Sequence, residues 1–582
     1  MKFSRYCEYL EEFESLSSRN EMTVKIAELL KELDVDELKA GIFLLQGRIA
    51  PQYVESEFNF STKLMLRGLI EEGNDESKVK SGFLEVGDIG LIMAQLVNWP
   101  GKGLSLNDVY KELVFIAQVY GINSQASKLR HFRQLYKRLS KLEAKYMGRI
   151  INGKLRLGAS NKTIIDALSW AVRGDKSLKA EIEKAYGAMA DLSKIAEIVL
   201  FKNSDELEHI NPVPGIPIGS KLVEREKTLE KILKRHDGGL IVQPKYDGLR
   251  IQIHISEKNQ DSNKLQIDAL SNNSRVRLFS RNMSEITNMF PDIVAVFERT
   301  NLKNTIIDAE AIGVNIESGL FLPFQETIQR KRKHGVFKKS EEIPIKVFCF
   351  DIMMYESRNL MNVELATRLR ELEKTIKKIN DKVVHFSEST FVNNAEDLKK
   401  LYENYKALGL EGIIAKNSNS IYEPGSRNYE WIKFKVKAED GLADSVDAVI
   451  LGYYKGTGVR AKFGIGAILV GVSNFAEEKF VSITKVGTGF KDVDLKQLKK
   501  SLDEIVTDEV PENVEINKQL MPDVLVFPEL VCVIEADEIT NSKLHGGFAG
   551  GLSLRFPRFK YLRQDKNAMQ TTTIEELKAM QI

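Results

Sequence analysis

LIVQPKYDGLRIQIHI, residues 240–255, is the stretch around which the rest of the chain can be ordered. An apolar run leads into Lys245, Gly248 follows within three residues, and Leu249 to Ile255 then alternates in the two-residue period of a strand. A lysine is thereby placed on a tight turn between two strands. The tetrapeptide K-x-D-G is weak evidence alone, since a hairpin with an exposed lysine accounts for it equally well. Its surroundings are β-rich: RVRLFSRN at 275–282, TIIDAEAIG at 305–313, IKVFCFDIMMY at 345–355, GIIAKN at 412–417 and EWIKFKVK at 430–437. Helical spacing appears at 283–299, 363–379 and 395–408, so this part reads as an α+β domain. The hydrophilic stretch 256–274 reads as an extended hairpin or loop within it.

Upstream, residues 1–211 show apolar positions three and four apart and almost no strand alternation, which predicts an all-helical domain. The segment NPVPGIPIG at 211–219 suits neither a helix nor a central strand and marks the boundary. Downstream, DAVILGYY, IGAILVGVS, KFVSITKVG, LVCVIEADEI and SLRFP are strand-like runs in a length suited to a small closed barrel, with a helix at 491–506. Three domains are expected: 1–211, 212–439 and 440–582.

The chain of 582 residues is too long for one core. With 43% apolar and 29% charged residues, and no apolar run of the roughly 18 to 20 residues a membrane span needs, it reads as a soluble protein with no membrane partner. The opening MKFSRYCEYLEEFESL places acids where a signal peptide needs an apolar stretch, so an intracellular protein is expected. Three dispersed cysteines, Cys7, Cys349 and Cys532, argue against disulfides and structural zinc. The net charge of +2 decides nothing, but residues 128–156 hold ten Lys and Arg against the single acid Glu143. Such a run is by itself more often a solvated helix face.

What changes the weight of Lys245 is the order of the pieces that follow it: FSRN at 279–282, TIIDAEAIG at 305–313, FDIMMY at 350–355, EGIIAK at 411–416, EWIKFK at 430–435 and RQDK at 563–566. In that order they resemble the ATP-dependent DNA ligases among the covalent nucleotidyltransferases, most closely the archaeal and eukaryotic replicative branch. The resemblance implies a helical DNA-binding domain, an α+β adenylation domain and a C-terminal OB-fold barrel. It implies AMP carried on Lys245, with Gln243, Arg250, Arg281, Glu310, Phe350, Arg427, Lys433 and Lys435 around the nucleotide, and Phe350 stacked on adenine. It further implies Glu310 and Glu411 as carboxylates directing Mg²⁺, with Mn²⁺ as a substitute, and Arg563 and Lys566 addressing the β and γ phosphates of ATP. Position 243 departs from the family, holding Gln where an acid usually stands near the adenine.

LLQGRIAP at 44–51, VGDIGLI at 86–92 and GRIINGKLRLGAS at 148–160 resemble the family's DNA-binding domain. They suggest Arg149, Lys154 and Arg156 as phosphate contacts indifferent to base sequence, and give the basic run a phosphate-contacting role. The expected partner is nicked double-stranded DNA, in replication, repair and recombination. The protein is expected to be a monomer, cytoplasmic and nucleoid-associated if archaeal; a sliding-clamp contact is left open.

The chemistry fits the residue types. A free lysine, with a pKa near 10.4, is mostly protonated and cannot attack phosphorus. Clustering with Lys433, Lys435 and a bound cation is expected to disfavour its charged form and free it as a nucleophile. An RNA ligase or capping enzyme would share the lysine but not the large N-terminal domain. An NAD-dependent ligase would be expected to carry a Cys₄ zinc site, and a non-catalytic DNA-binding scaffold would not require the whole set.

Overall fold

In the computed structural model the described residues are all but 17, 55, 122, 154, 156, 158, 227, 237–238, 258–273, 333–334, 436–444, 457, 543, 546–550 and 582. They divide into two units. One comprises the described residues of Met1–Gly219, Ser256–Arg275 and Met283–Glu285; the other comprises those of Ser220–Ile255, Val276–Asn282 and Ile286–Ile582.

The first unit is helical, with twelve α-helices among its described residues from Phe3–Ser15 to Leu192–Phe201. Helix Asn161–Arg173 shows how the sequence sets them. Ser160 caps its start by accepting from the Thr163 N–H, Gly174 ends it at a φ of 76°, and Ile164, Ile165, Ala167 and Leu168 are buried between. That helix packs on Arg19–Glu32. Helices Ile89–Leu96 and Lys141–Ile151 cross very closely: a Cβ on Gly90 would meet the Lys145 carbonyl oxygen at 2.4 Å, and one on Gly148 would meet the Met93 sulfur at 2.6 Å. Gly90 of VGDIGLI and Gly148 of GRIING are therefore helix-packing residues. No helix among the described residues is long and apolar enough to cross a membrane.

In the second unit the α+β part holds two sheets. One has the order Leu222–Arg225, Arg427–Lys435, Gly412–Asn417, Leu240–Lys245, Thr390–Val392. The other has the order Val276–Ser280, Leu249–Ile255, Thr305–Gly313, Ile345–Tyr355, Arg358–Asn359, with Val384–Phe386 parallel to Ile345–Tyr355. The strands on either side of Lys245 thus belong to different sheets, and the turn at Tyr246–Gly248 is a crossing from one to the other instead of a hairpin.

Period two then sorts the side chains. In the first sheet Leu240 and Val242 join the core with Ile232 of helix Leu229–Lys234 and Leu398 and Tyr402 of helix Ala395–Ala407. Ile241, Gln243 and Lys245 take the opposite face. In the second, Leu249, Ile251, Ile253, Ile307, Ala309, Ala311, Val347 and Cys349 pack with Ile293 and Phe297 of helix Pro291–Glu298 and with Leu369 and Leu372 of helix Leu365–Ile379. Arg250, Asp308, Glu310 and Phe350 fall on the alternate face.

The C-terminal part is β-rich. Strand Val446–Tyr454 pairs with Ala467–Asn474, which pairs with Lys479–Val486. On its other edge Val446–Tyr454 pairs with Val531–Glu535, which pairs with Arg558–Leu562. The Phe559 N–H donates to the Thr488 carbonyl at 2.9 Å, just beyond Lys479–Val486, and closes the ring. Helix Asp492–Asp503 contributes Leu495, Leu498 and Leu502 to the barrel core. Of the strand-like runs, DAVILGYY, IGAILVGVS, KFVSITKVG and LVCVIEADEI supply the first four of these strands, with the helix after the third. SLRFP instead forms Leu552–Arg555, paired with Glu538–Asn541 in a separate two-stranded sheet, and Arg558–Leu562 takes the fifth place.

Candidate active site

A cavity of about 310 Å³ in the second unit is lined by Gln243, Lys245, Arg250, Arg281, Glu310, Phe350, Glu411, Arg427, Lys433, Lys435, Arg563 and Lys566, so all twelve residues expected there face one space. Its size is at the lower end of ordinary small-molecule sites.

At one end Lys245 closes its strand and is ion-paired with Glu411. Lys435 reaches the other carboxylate oxygen of Glu411 at 3.0 Å. Gly412 is what makes this possible: it lies opposite both Lys245 and Lys435 on flanking strands, at a φ of 143°, and a Cβ there would meet the Phe434 carbonyl oxygen at 2.1 Å. Burial works to raise the Glu411 carboxyl, but the two ammoniums overcome it and hold it well below the usual range. Lys433, expected beside Lys245, is instead paired elsewhere.

Glu310 stands across from Arg250 in the second sheet. Gly248 admits it, since a Cβ at 248 would come within 3.0 Å of the Glu310 Cγ and 2.6 Å of the Ala311 carbonyl oxygen. Burial pushes the Glu310 carboxyl up to about 8, against the pull of Lys245 and Arg250. Asp247, the acid of K-x-D-G, accepts from the Phe324 N–H at 3.1 Å and so anchors a neighbouring loop.

Phe350 lies at the other side of the cavity with the Arg250 guanidinium 5.3 Å from its ring centroid. Gln243 donates to the Phe350 carbonyl at 3.1 Å and to Ser389 Oγ at 2.9 Å. Lys416 lies 3.8 Å from the Trp431 ring centroid and 4.7 Å from that of Phe350, and burial pushes its ammonium down to about 7. Arg281 has no ion pair among the described residues; burial, then Arg250, Arg427 and Arg563, bring its guanidinium down to about 10.

The remaining cations have internal partners. Glu576, on the C-terminal helix Ile574–Met580, binds Arg427 at 2.8 Å and Lys433 at 2.7 Å and is only 3% exposed. Arg563 is paired with Asp565 at 2.7 Å, and Lys566 with Asp447. Burial pushes Lys566 down to about 7 even beside that carboxylate. Sequence reasoning missed Glu576 and Asp447, because they follow no motif and meet their partners only through the fold; Asp565, the acid of the RQDK run itself, pairs with Arg563 two residues away and could have been found. Asp308 could have been found: two residues before Glu310 on one strand, it must share that face.

The helical unit corrects one expectation. Arg149 is 3% exposed and held by Asp88 at 2.8 Å and Glu14 at 2.9 Å, a buried structural ion pair and not a side chain offered to a phosphate. Much of the basic run is likewise neutralised: Lys145 by Glu11 and Glu14, Arg133 by Glu71 and Glu72, Lys137 by Glu72 and Arg138 by Glu112. Lys154 and Arg156 lie outside the described residues.

A lysine at a sheet crossing, facing a cation-lined cavity that a β-rich region helps to form, defines an enzyme that handles nucleotide phosphates. Residues 2–169 match the DNA ligase N terminus family, 220–435 the ATP dependent DNA ligase domain and 461–566 the ATP dependent DNA ligase C terminal region. The probable DNA ligase of Dictyoglomus turgidum is 38% identical over 590 residues, covering 100% of this chain and 97% of that protein. The DNA ligase of Sulfurisphaera tokodaii is 34% identical over 604 residues, with 100% and 97% covered, and DNA ligase 1 of Methanosarcina acetivorans is 31% identical over 592, with 99% of each covered. The chain belongs to the ATP-dependent DNA ligase family, whose members seal nicks in DNA.

Proposed function

We propose that sealing proceeds through AMP carried on Lys245. The Lys245 Nζ attacks the α-phosphorus of ATP, a P–N bond forms, the P–O bond to the β-phosphate breaks and pyrophosphate leaves. The 5′-phosphate of a nick in double-stranded DNA then attacks that phosphorus, releasing the lysine, and the 3′-hydroxyl attacks the adenylylated 5′-phosphate with loss of AMP. The observation that carries this reading is the position of Lys245 at the sheet crossing, with Glu411 and Lys435 beside it.

The proton on Nζ must leave before attack; Glu411, held well below the usual carboxylate range, fixes the position of Nζ and is not itself the base. Lys435 and Arg281 face developing negative charge at phosphorus. Phe350 and Gln243 border the base, and Arg250 meets the nucleotide. Arg427, Lys433, Arg563 and Lys566 meet phosphates once ATP displaces their internal carboxylates. Arg563 and Lys566 orient the pyrophosphate leaving group, a task that ends when AMP is on DNA.

Glu310 and Glu411 fit a Mg²⁺ or Mn²⁺ ion as far as donor chemistry goes: both are hard oxygen donors on one cavity, and burial keeps Glu310 protonated until a cation favours its charge. Among the described residues no three acids or histidines could hold a metal by themselves. That suits Mg²⁺, which commonly takes one or two carboxylates and completes its shell with water and substrate phosphate. Such an ion would supply charge neutralisation on the triphosphate.

Lys245→Ala is expected to take up no label from ATP labelled in the α-phosphate, yet still to close a nick already carrying AMP. Undiminished labelling of the variant would remove Lys245 from the reaction.

A further inference from the structure

Arg250 is held more completely than any other cation of the cavity. Its Nε and Nη2 donate to the two oxygens of Asp308 at 3.0 and 2.6 Å, and its Nη1 donates to the Lys221 carbonyl at 2.7 Å. A guanidinium has five N–H donors, so most are already spent on the protein. What it can offer a ligand depends on where these two acceptors stand.

The two residues that supply these acceptors are tied to one atom, Asp308 through its carboxylate and Lys221 through its backbone N–H. The Tyr422 hydroxyl donates to Asp308 Oδ2 at 3.0 Å and accepts from the Lys221 N–H at 3.2 Å, with the Arg250 Nη2 at 3.4 Å. Tyr422 is 1% exposed and Asp308 is fully buried, so no solvent competes for these bonds. The ring is itself fixed. The Tyr422 N–H donates to the Met361 carbonyl at 2.8 Å, and the Trp431 ring meets it edge-on with centroids 5.9 Å apart. Lys221 is clamped to the same segment, its ammonium bound to Glu423 at 2.8 Å and to the Ile421 carbonyl at 3.2 Å.

We propose that Tyr422 is a positioning residue for nucleotide binding: by joining the Asp308 carboxylate to the Lys221 backbone N–H it holds together the two residues that supply the acceptors of Arg250, and hence the line along which that guanidinium meets ATP. Tyr422 does not touch the reacting atoms. The proposal rests on the reading of Arg250 as a nucleotide contact. Asp308 alone leaves the guanidinium free to swing with the carboxylate, and the Lys221 carbonyl alone leaves it free to rotate about one bond. The hydroxyl restrains the first directly, through Asp308, and the second through the Lys221 backbone.

The test is a double-mutant cycle on the full chain, reading the KM for ATP and kcat of self-adenylylation. Tyr422→Phe keeps the ring and is expected to raise KM roughly tenfold, as loss of a buried hydrogen bond to a charged group does, with kcat within about twofold. Arg250→Ala should raise KM more, and the double variant should be no worse than Arg250→Ala. Unfolding midpoints and labelling at saturating ATP confirm folded protein. If Tyr422→Phe does not fold, Asp308→Asn, which keeps the shape and removes one acceptor, enters the same cycle with the same expectation. Multiplying effects of Tyr422→Phe and Arg250→Ala, or an unchanged KM in folded Tyr422→Phe, overturn the proposal while leaving Arg250 its role. An unchanged KM in Arg250→Ala removes the role of Arg250 itself and the proposal with it.

Discussion

In the helical unit Arg149 and Lys145 are buried and wrapped by Asp88, Glu11 and Glu14, whereas in the second unit Arg281 lines a cavity with no acid bound to it among the described residues. As sequence both stood as candidates for meeting phosphate, the first because ten cations crowd into residues 128–156 and the second through FSRN. In the fold they part. A cation whose charge is matched by the chain's own carboxylates serves the fold, and removing it strands those carboxylates. A cation drawn from water without a matching carboxylate costs stability, and Arg281 lines the cavity at that cost.

Arg281→Ala is the sharpest way to break this contrast. It is expected to slow nick sealing by roughly 10²–10³-fold, as loss of one donor aimed at developing charge does. Its unfolding midpoint should stay level or rise, because burial and three neighbouring arginines already disfavour the guanidinium's charge. A large fall in the midpoint would show that Arg281 serves the fold after all.

Arg149→Ala should do the opposite. Stranding Asp88 and Glu14 is expected to cost the helical unit about 3–5 kcal/mol in urea unfolding, while labelling of Lys245 by ATP stays at the wild-type rate. Stability unchanged within about 0.5 kcal/mol would place Arg149 back among the candidates for DNA contact.

The acids carry the same contrast with smaller effects. Burial acts to raise Glu14, but Arg149 and Lys145 bring it down to about 2, so its stabilisation is present above its unfolded pKa and is lost as pH falls towards 2. Glu310 is pushed up to about 8, chiefly by burial, so the folded state keeps a proton that the unfolded chain releases near pH 4.5. Stability therefore declines from that pH up to about 8. In nucleotide-free protein, Glu310→Gln should raise the unfolding midpoint by a few degrees at pH 8, on the order of 2–4 °C per kcal/mol relieved, and leave it unchanged near pH 4. Equal midpoints at both pH values would remove the strain assigned to Glu310.

The legible parts of the site are those where chemistry and short-range spacing coincide. Lys245 on its turn, Glu310 on its strand, and Lys433 with Lys435 two apart could be placed on elements and faces from the sequence. The partner of each could not. Alternation in LIVQPK and in LRIQIHI shows two strands but not that they enter different sheets, because the backbone bonds that decide this come from Gly412–Asn417 and Thr305–Gly313, far along the chain. The same distance hid the counterions. Glu11 and Glu14 reach the basic run from more than a hundred residues away, and Glu576 reaches Lys433 from beyond the last recognisable motif.

The ring of the barrel is closed by its last strand, Arg558–Leu562, which joins Val531–Glu535 on one side and Thr488 on the other. During synthesis this strand leaves the ribosome after every other strand, so the barrel's most non-local pairings are also its latest. Arg563 and Lys566 directly follow the closing strand, and helix Ile574–Met580 with Glu576 comes after them. The cavity thus has its lysine early in the order of synthesis and its far wall late. A chain cut before Arg558 would hold Lys245 without Arg563, Lys566 and Glu576.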